Sequence, residues 1–338
     1  DRQSDRIVVG AKRLATVKDD DDRHNYAYVF YGDTFFDTVK DPKWSNMGHE
    51  MIAFTHYYIV ENGESFYLHA GESVPIKNYE VPLVHHNYKE TSDDKADWNR
   101  LMNAIADGIS RGEMTKVVSS REVEFTSETP YNVASILANL VDNNPNCFIF
   151  GYEKDGRTFV GASPEILVRH RGSEILSYAL AGTAPKDGPN AWTKEQLLTN
   201  KKNLVEHNIV RDRIVNTMKA ITPDVTVGET GIMELSHLYH LRTIITAKDS
   251  TKSLVEWAKL LHPTPALGGE PREKALALLQ EYESHERGMY AAPFGFMKDM
   301  GDGIVVVAIR SALIMDNVLY AYAGCGVVAD SNADEEYA

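Results

Sequence analysis

The sequence predicts a mixed α/β (α+β) chain in which antiparallel strands outnumber helices. Short β-branched and aromatic runs between turn signals fill residues 1–90 and return after residue 146. Glu61-Asn62-Gly63-Glu64 and Glu153-Lys154-Asp155-Gly156 stand where hairpin turns belong. Helical periodicity is confined to a few separate segments. With 338 residues the chain forms one large domain or two ordinary ones, and either buries a sizeable core.

In chain order, residues 7–10, 26–31, 51–60 and 65–70 read as strands, and Asp19–Asp22 as a solvated acidic loop. His85 and His86 have no acidic or cysteine neighbour at ligand spacing and read as surface histidines. A helix is expected over 97–110, then a strand over 114–121 with Lys116 at its opening, then a helix over 131–141. Strands follow at 147–152 and 157–160, and Pro164 starts another that places Glu165 at its mouth. The strand 174–180 ends in Ala181-Gly182-Thr183-Ala184-Pro185. Leu197, Leu198, Leu204, Val205, Ile209, Ile214, Val215 and Met218 form the apolar stripe of one long helix over 194–220. On it, Glu206 is expected to pair with Arg213. A further helix is read over 233–241, carrying His237 and His240, and a strand over 243–247.

His262-Pro263-Thr264-Pro265-Ala266-Leu267-Gly268-Gly269-Glu270-Pro271 is stiffened by three prolines and joins two helical patterns. It reads as an apolar loop that walls a small-molecule pocket or links two helices rigidly. Strands over 294–298, 303–309 and 319–322 close the chain.

The formal net charge of −14 argues against nucleic acid and anionic membrane as partners. No apolar run approaches the roughly 20 residues of a membrane span. The opening Asp1-Arg2-Gln3-Ser4 does not read as a signal peptide, and Cys147 and Cys325 read as packed thiols, so a cytoplasmic setting is expected. Lys116 among apolar and small residues would be partly desolvated, which favours a neutral amine able to act as a base. Glu165 in an apolar setting would hold its proton and serve as a general acid. Arg310, beside Val305-Val306-Val307-Ala308-Ile309, is expected on a buried strand with an anionic partner. His237 and His240 lack a third ligand, so the residues give little support for zinc.

Nine motifs occur in a fixed order: Thr115-Lys116-Val117-Val118, Gly161-Ala162-Ser163-Pro164-Glu165, Leu180-Ala181-Gly182-Thr183, Glu206-His207, His240-Leu241-Arg242-Thr243, the loop His262 to Gly269, Arg287-Gly288-Met289-Tyr290, Ala308-Ile309-Arg310-Ser311 and Ala323-Gly324-Cys325-Gly326. Together they resemble the chorismate-utilising enzymes, and within them the isochorismate synthases. The resemblance runs from about residue 95 to the end; residues 1–90 look like a variable β-rich part of the same domain and 91–338 like its catalytic core.

The resemblance implies a single large domain of two packed, mostly antiparallel sheets flanked by helices. It implies a Mg²⁺-dependent, reversible conversion of chorismate to isochorismate, with Lys116 activating the water added at C2 and Glu165 protonating the hydroxyl lost from C4. Glu206 and Glu336 would serve the metal; the family's second direct ligand falls three residues past Glu336, so a C-terminal continuation beyond Ala338 is expected. Asn203 stands where some relatives carry a further acid. Arg310 and Tyr290 would hold the enolpyruvyl carboxylate, and Gly182, Thr183, His240, Ala266, Leu267, Gly324 and Gly326 would complete the pocket. Ala266, in place of a threonine, favours isochorismate over salicylate synthase or anthranilate synthase component I. A non-catalytic binding protein is the alternative of a different class. No obligate protein partner is implied, and a monomer or weak homodimer is expected.

Overall fold

A computed structural model describes residues 6–77, 79–298 and 301–337. Its strands form two antiparallel sheets. The larger, of 11 strands, runs in the order Ile7–Val17, Glu50–Glu61, Tyr28–Gly32, Pro293–Lys298, Gly303–Val307, Ile166–Arg171, Glu174–Pro185, Leu238–Lys248, Val225–Val227, with Glu64–His69 and Gly231–Glu234 paired beside it. The smaller, of seven, runs Gly269–Glu270, Lys116–Ser127, Val318–Val327, Ser311–Met315, Arg157–Ser163, Phe148–Lys154, with Tyr88–Glu90 beside Lys116–Ser127. The N-terminal strands join the larger sheet through Tyr28–Gly32 against Pro293–Lys298, while the last strand, Val318–Val327, lies in the smaller sheet.

Inward-facing apolar residues of the sheets meet in one core, where Phe150 of the smaller sheet lies 5.0 Å from Phe294 of the larger. Both expected hairpins form, Asn62-Gly63 and Asp155-Gly156 each supplying the two positive-φ residues that match strand twist. Helices Lys95–Ser110 and Arg272–Tyr282 pack together through Trp98, Leu101, Ile105, Ala275 and Leu279, covering Val117 and Val327 of the smaller sheet. Helices Lys201–Lys219 and Leu254–Leu261 bring Val210, Ile214, Met218, Trp257 and Ala258 against Ile175 and Ile245 of the larger one.

Five local expectations are corrected. The helix read over 194–220 is two, Lys194–Thr199 and Lys201–Lys219, broken at Asn200, whose side chain turns back to accept the amide of Asn203 and cap the second. Residues 233–241 are not helical: Gly231–Glu234 and Leu238–Lys248 form a hairpin, since the β-branched run Thr243–Thr246 extends a strand toward the turn. Four strands, not three, close the chain, Ser311–Met315 being the one missed, and Val318–Val327 carries the Ala323–Gly326 run. Asp19 caps a single helical turn, Asp20–Arg23, in place of an open loop. His86 is half-buried, accepting the amide of Asn132 at 3.1 Å.

Candidate active site

The site is built where Lys116–Ser127, the loop before Gly269–Glu270, the helix Lys201–Lys219 and the bend after Gly303–Val307 converge. Gly269 and Glu270 pair with Val117 and Lys116, and Val118 donates to the carbonyl of Gly268 at 2.9 Å, so the proline-rich loop is stitched to the lysine strand. Glycine is required at 269: φ is +143°, and a Cβ would lie 2.3 Å from the Lys116 carbonyl oxygen.

Lys116 is buried, and its ammonium lies 2.9 Å from a carboxylate oxygen of Glu206. Glu206 therefore faces the lysine strand, and Arg213, its expected partner, lies 3.9 Å from Glu270 instead. His207, one residue on, is structural: buried, its ring bridges the carbonyl of Ala181 at 3.1 Å and the hydroxyl of Thr243 at 2.7 Å.

Glu165 sits between Arg157–Ser163 and Ile166–Arg171, its amide on the Ser163 hydroxyl and its carbonyl accepting Val307. Its side chain is buried, and one carboxyl oxygen has no hydrogen-bond partner among the described residues. Burial pushes the carboxyl up to about 8 against the pull of Lys116 and Arg310, so the group holds a proton at neutral pH.

Arg310 departs from expectation. It has left the strand, takes φ +55° at the bend before Ser311–Met315 and is exposed, with no carboxylate partner among the described residues. The bend interrupts the apolar run because the chain crosses there from the larger sheet to the smaller. Its guanidinium lies 3.3 Å from His240 Nε2. An arginine only donates, so Nε2 accepts and Nδ1 carries the proton toward Thr183 Oγ1 at 2.8 Å. Burial and Arg310 drive His240 down to about 3, so the ring stays neutral. Thr183 is exposed and sits at a bulge where Gly182 takes φ +81°, its amide held by the Asn203 side chain at 3.1 Å. Asn203, marked in the sequence only as the position where some relatives carry a further acid, thus holds the Thr183 backbone in place.

Tyr290 is buried and stacks on Tyr322 at 5.2 Å. A Cβ on Gly324 would lie 2.7 Å from its hydroxyl, and one on Gly326 would lie 2.4 Å from a Glu206 oxygen and 2.9 Å from Lys116 Cε. Ala266 is half-buried and Leu267 buried on the facing loop. Glu336 lies 3.6 Å from Lys202, and both Glu336 and Glu206 act on Cys325, whose thiol burial and these carboxylates raise to about 12. His237 is left in the turn against Asp187, away from His240. Among the described residues no three His, Cys, Asp or Glu side chains gather as a metal cluster.

Residues 72–338 match the sequence model of the family described as "Chorismate binding enzyme". The chain belongs to that family. The match begins nearer the N-terminus than the motifs do. The isochorismate synthase MenF of Bacillus subtilis is 36% identical over 250 residues, covering 72% of this chain and 53% of the relative. A salicylate biosynthesis isochorismate synthase of Pseudomonas aeruginosa is 32% identical over 255 residues, covering 73% of this chain and 53% of that protein. The chain thus spans about half the length of these curated relatives. The solved structure of Escherichia coli MenF superposes with a TM-score of 0.85 at 24% identity, covering 99% of this chain and 83% of that one, and so shares the two-sheet fold.

Proposed function

We propose that this protein interconverts chorismate and isochorismate, as the names of its relatives suggest. The observation that carries the reading is the buried Glu165 carboxyl, one oxygen of which has no hydrogen-bond partner among the described residues, set in the field of Lys116 and Arg310. Adding water at one end of an allylic system while a hydroxyl leaves the other requires a base and an acid at once. Lys116, once its ammonium has given up a proton, would take the proton of the incoming water; Glu165 would give its proton to the departing hydroxyl, and proton exchange with solvent would return both to their starting states. Arg310, oriented by His240 and Thr183, would clamp the enolpyruvyl carboxylate beside the Tyr290 hydroxyl.

Glu206 and Glu336 would hold Mg²⁺, whose charge would neutralise the ring carboxylate. Hard carboxylate oxygens suit this ion, which keeps several waters and needs few protein ligands. That both carboxylates lie within electrostatic reach of Cys325, and that Gly326 leaves Glu206 its space, supports the fit. The free thiols of Cys147 and Cys325 support a cytoplasmic setting, and among the described residues no helix is long and apolar enough to cross a membrane.

The test is incubation with chorismate and Mg²⁺, chromatographic separation of products and an EDTA control. Reversible, metal-dependent isochorismate without pyruvate is expected. Salicylate with pyruvate would overturn the argument from Ala266, and no turnover would overturn the enzymatic reading.

A further inference from the structure

Arg287 and Glu283 form an ion pair whose side chains are 1% and 2% exposed, and the reaction above does not use it. Stability does not explain its presence, because a buried pair roughly breaks even against apolar residues of the same volume. Its connections do. Arg287 Nε and one terminal nitrogen grip the two Glu283 oxygens at 2.8 and 2.5 Å. The same terminal nitrogen donates to the carbonyl of Val118 at 2.6 Å, and the other donates to the carbonyl of Leu267 at 2.8 Å. Glu283 in turn accepts the amide and hydroxyl of Ser120 at 3.0 and 2.9 Å. The guanidinium lies over the Phe35 ring at 4.2 Å.

Val118 and Ser120 follow Lys116 on its strand, and Leu267 adjoins Ala266 on the facing loop. The carbonyl of Arg287 accepts the amide of Tyr290 at 2.8 Å. One side chain and its own backbone therefore join the lysine strand, the proline-rich loop and the tyrosine turn. A lysine would reach one of these acceptors; only a planar fork reaches three.

We propose that Arg287 and Glu283 are positioning residues: the pair fixes the Lys116 strand against the Ala266 loop and Tyr290, and so sets the distance over which Lys116 acts. The inference rests on the isochorismate reading. Misplacing a catalytic group by about 1 Å costs on the order of 100-fold in rate.

The experiment is Arg287→Lys, assayed for kcat, KM, thermal midpoint and amide exchange of residues 114–122 and 262–270, with Arg287→Ala assayed with and without added guanidinium. Expected are a loss in kcat of roughly 30-fold or more with KM within about 5-fold, faster exchange confined to the two segments, and partial recovery of Arg287→Ala by guanidinium. A lowered midpoint with unchanged kcat in the folded protein, or unchanged exchange in both segments, overturns the proposal. Should neither variant fold, Ser120→Ala removes the hydroxyl's bonds to Glu283 and His285 and leaves the Arg287 side chain in place; a several-fold fall in kcat at unchanged midpoint supports the proposal, and unchanged kcat sinks it. Turnover by the unaltered protein tests the reaction separately, and amide exchange still decides the coupling if chorismate is no substrate.

Discussion

The ammonium of Lys116 and a carboxylate oxygen of Glu206 are 2.9 Å apart, but their side chains are 1% and 17% exposed. Removing either partner is therefore not equivalent. Glu206→Ala strands a buried ammonium and is expected to destabilise the fold by about 2–4 kcal/mol. Lys116→Met leaves a carboxylate that water reaches and should cost about 1 kcal/mol or less. Urea unfolding of the two variants measures the contrast, and equal losses would contradict it. Both variants should lose turnover.

Glu165 makes stability and activity depend on pH with opposite uses of one proton. Its carboxyl is raised to about 8 when folded from 4.5. The folded state therefore binds the proton more tightly than the unfolded state, and stability from this group is full below about pH 4.5 and is lost as pH rises toward 8. Glu165→Gln, which cannot ionise, should be more stable than the parent by a few kcal/mol at pH 8, with the gain vanishing near pH 5. Its turnover should fall by roughly 10²–10⁴-fold. Denaturation across this pH range is the measurement; a difference independent of pH would show that Glu165 ionises freely in the fold.

Much of this site was legible because its chemistry depends on residue types that stand out locally. Lys116 and Glu165 are ionisable residues in apolar strand-like runs, and the structure buries both. Strands and hairpins were read from alternation and Asn-Gly or Asp-Gly turns, signals that act over a few residues. What escaped is one local cap and several features set by parts of the chain distant in sequence. Asn200 breaks a helix whose apolar periodicity runs on across it, because a local cap outcompetes continuation. Arg310 looked like a buried strand residue because the crossing between sheets leaves no trace in the apolar run. The partnership of Glu206 with Lys116 spans 90 positions, so a nearer arginine misled the reading of the helix.

Arg310 yields a prediction about binding. Its guanidinium is exposed at a left-handed bend and braced by His240, which Thr183 orients. Arg310→Lys keeps the charge but loses the planar fork, and kcat/KM should fall by about 10–100-fold, mainly through KM. Thr183→Val should act in the same direction and more weakly, by freeing the His240 ring. Steady-state kinetics decides this, and a loss confined to kcat would place Arg310 in the chemistry instead of the clamp.

Gly324 and Gly326 lie two residues apart on one strand, and alanine at each should fail differently. Neither needs positive φ, so the cost is contact alone. At 326 the new methyl would meet a Glu206 oxygen at 2.4 Å and Lys116 Cε at 2.9 Å, both near the ends of flexible side chains that can swing aside. At 324 it would meet the Tyr290 hydroxyl at 2.7 Å and the Ser119 carbonyl oxygen at 2.9 Å, the latter backbone that cannot yield without moving the strand. Gly324→Ala is accordingly expected to destabilise by about 1–3 kcal/mol and raise the KM for chorismate. Gly326→Ala should keep its thermal midpoint within about 3 °C, since only side chains move. The displaced Glu206 should then raise the Mg²⁺ concentration for half-maximal rate by roughly 10-fold or more, on the order of what misoriented ligands cost other metal sites. Metal titrations at saturating chorismate, beside thermal melts, separate the two; an unchanged metal requirement in Gly326→Ala would take Glu206 out of the metal site.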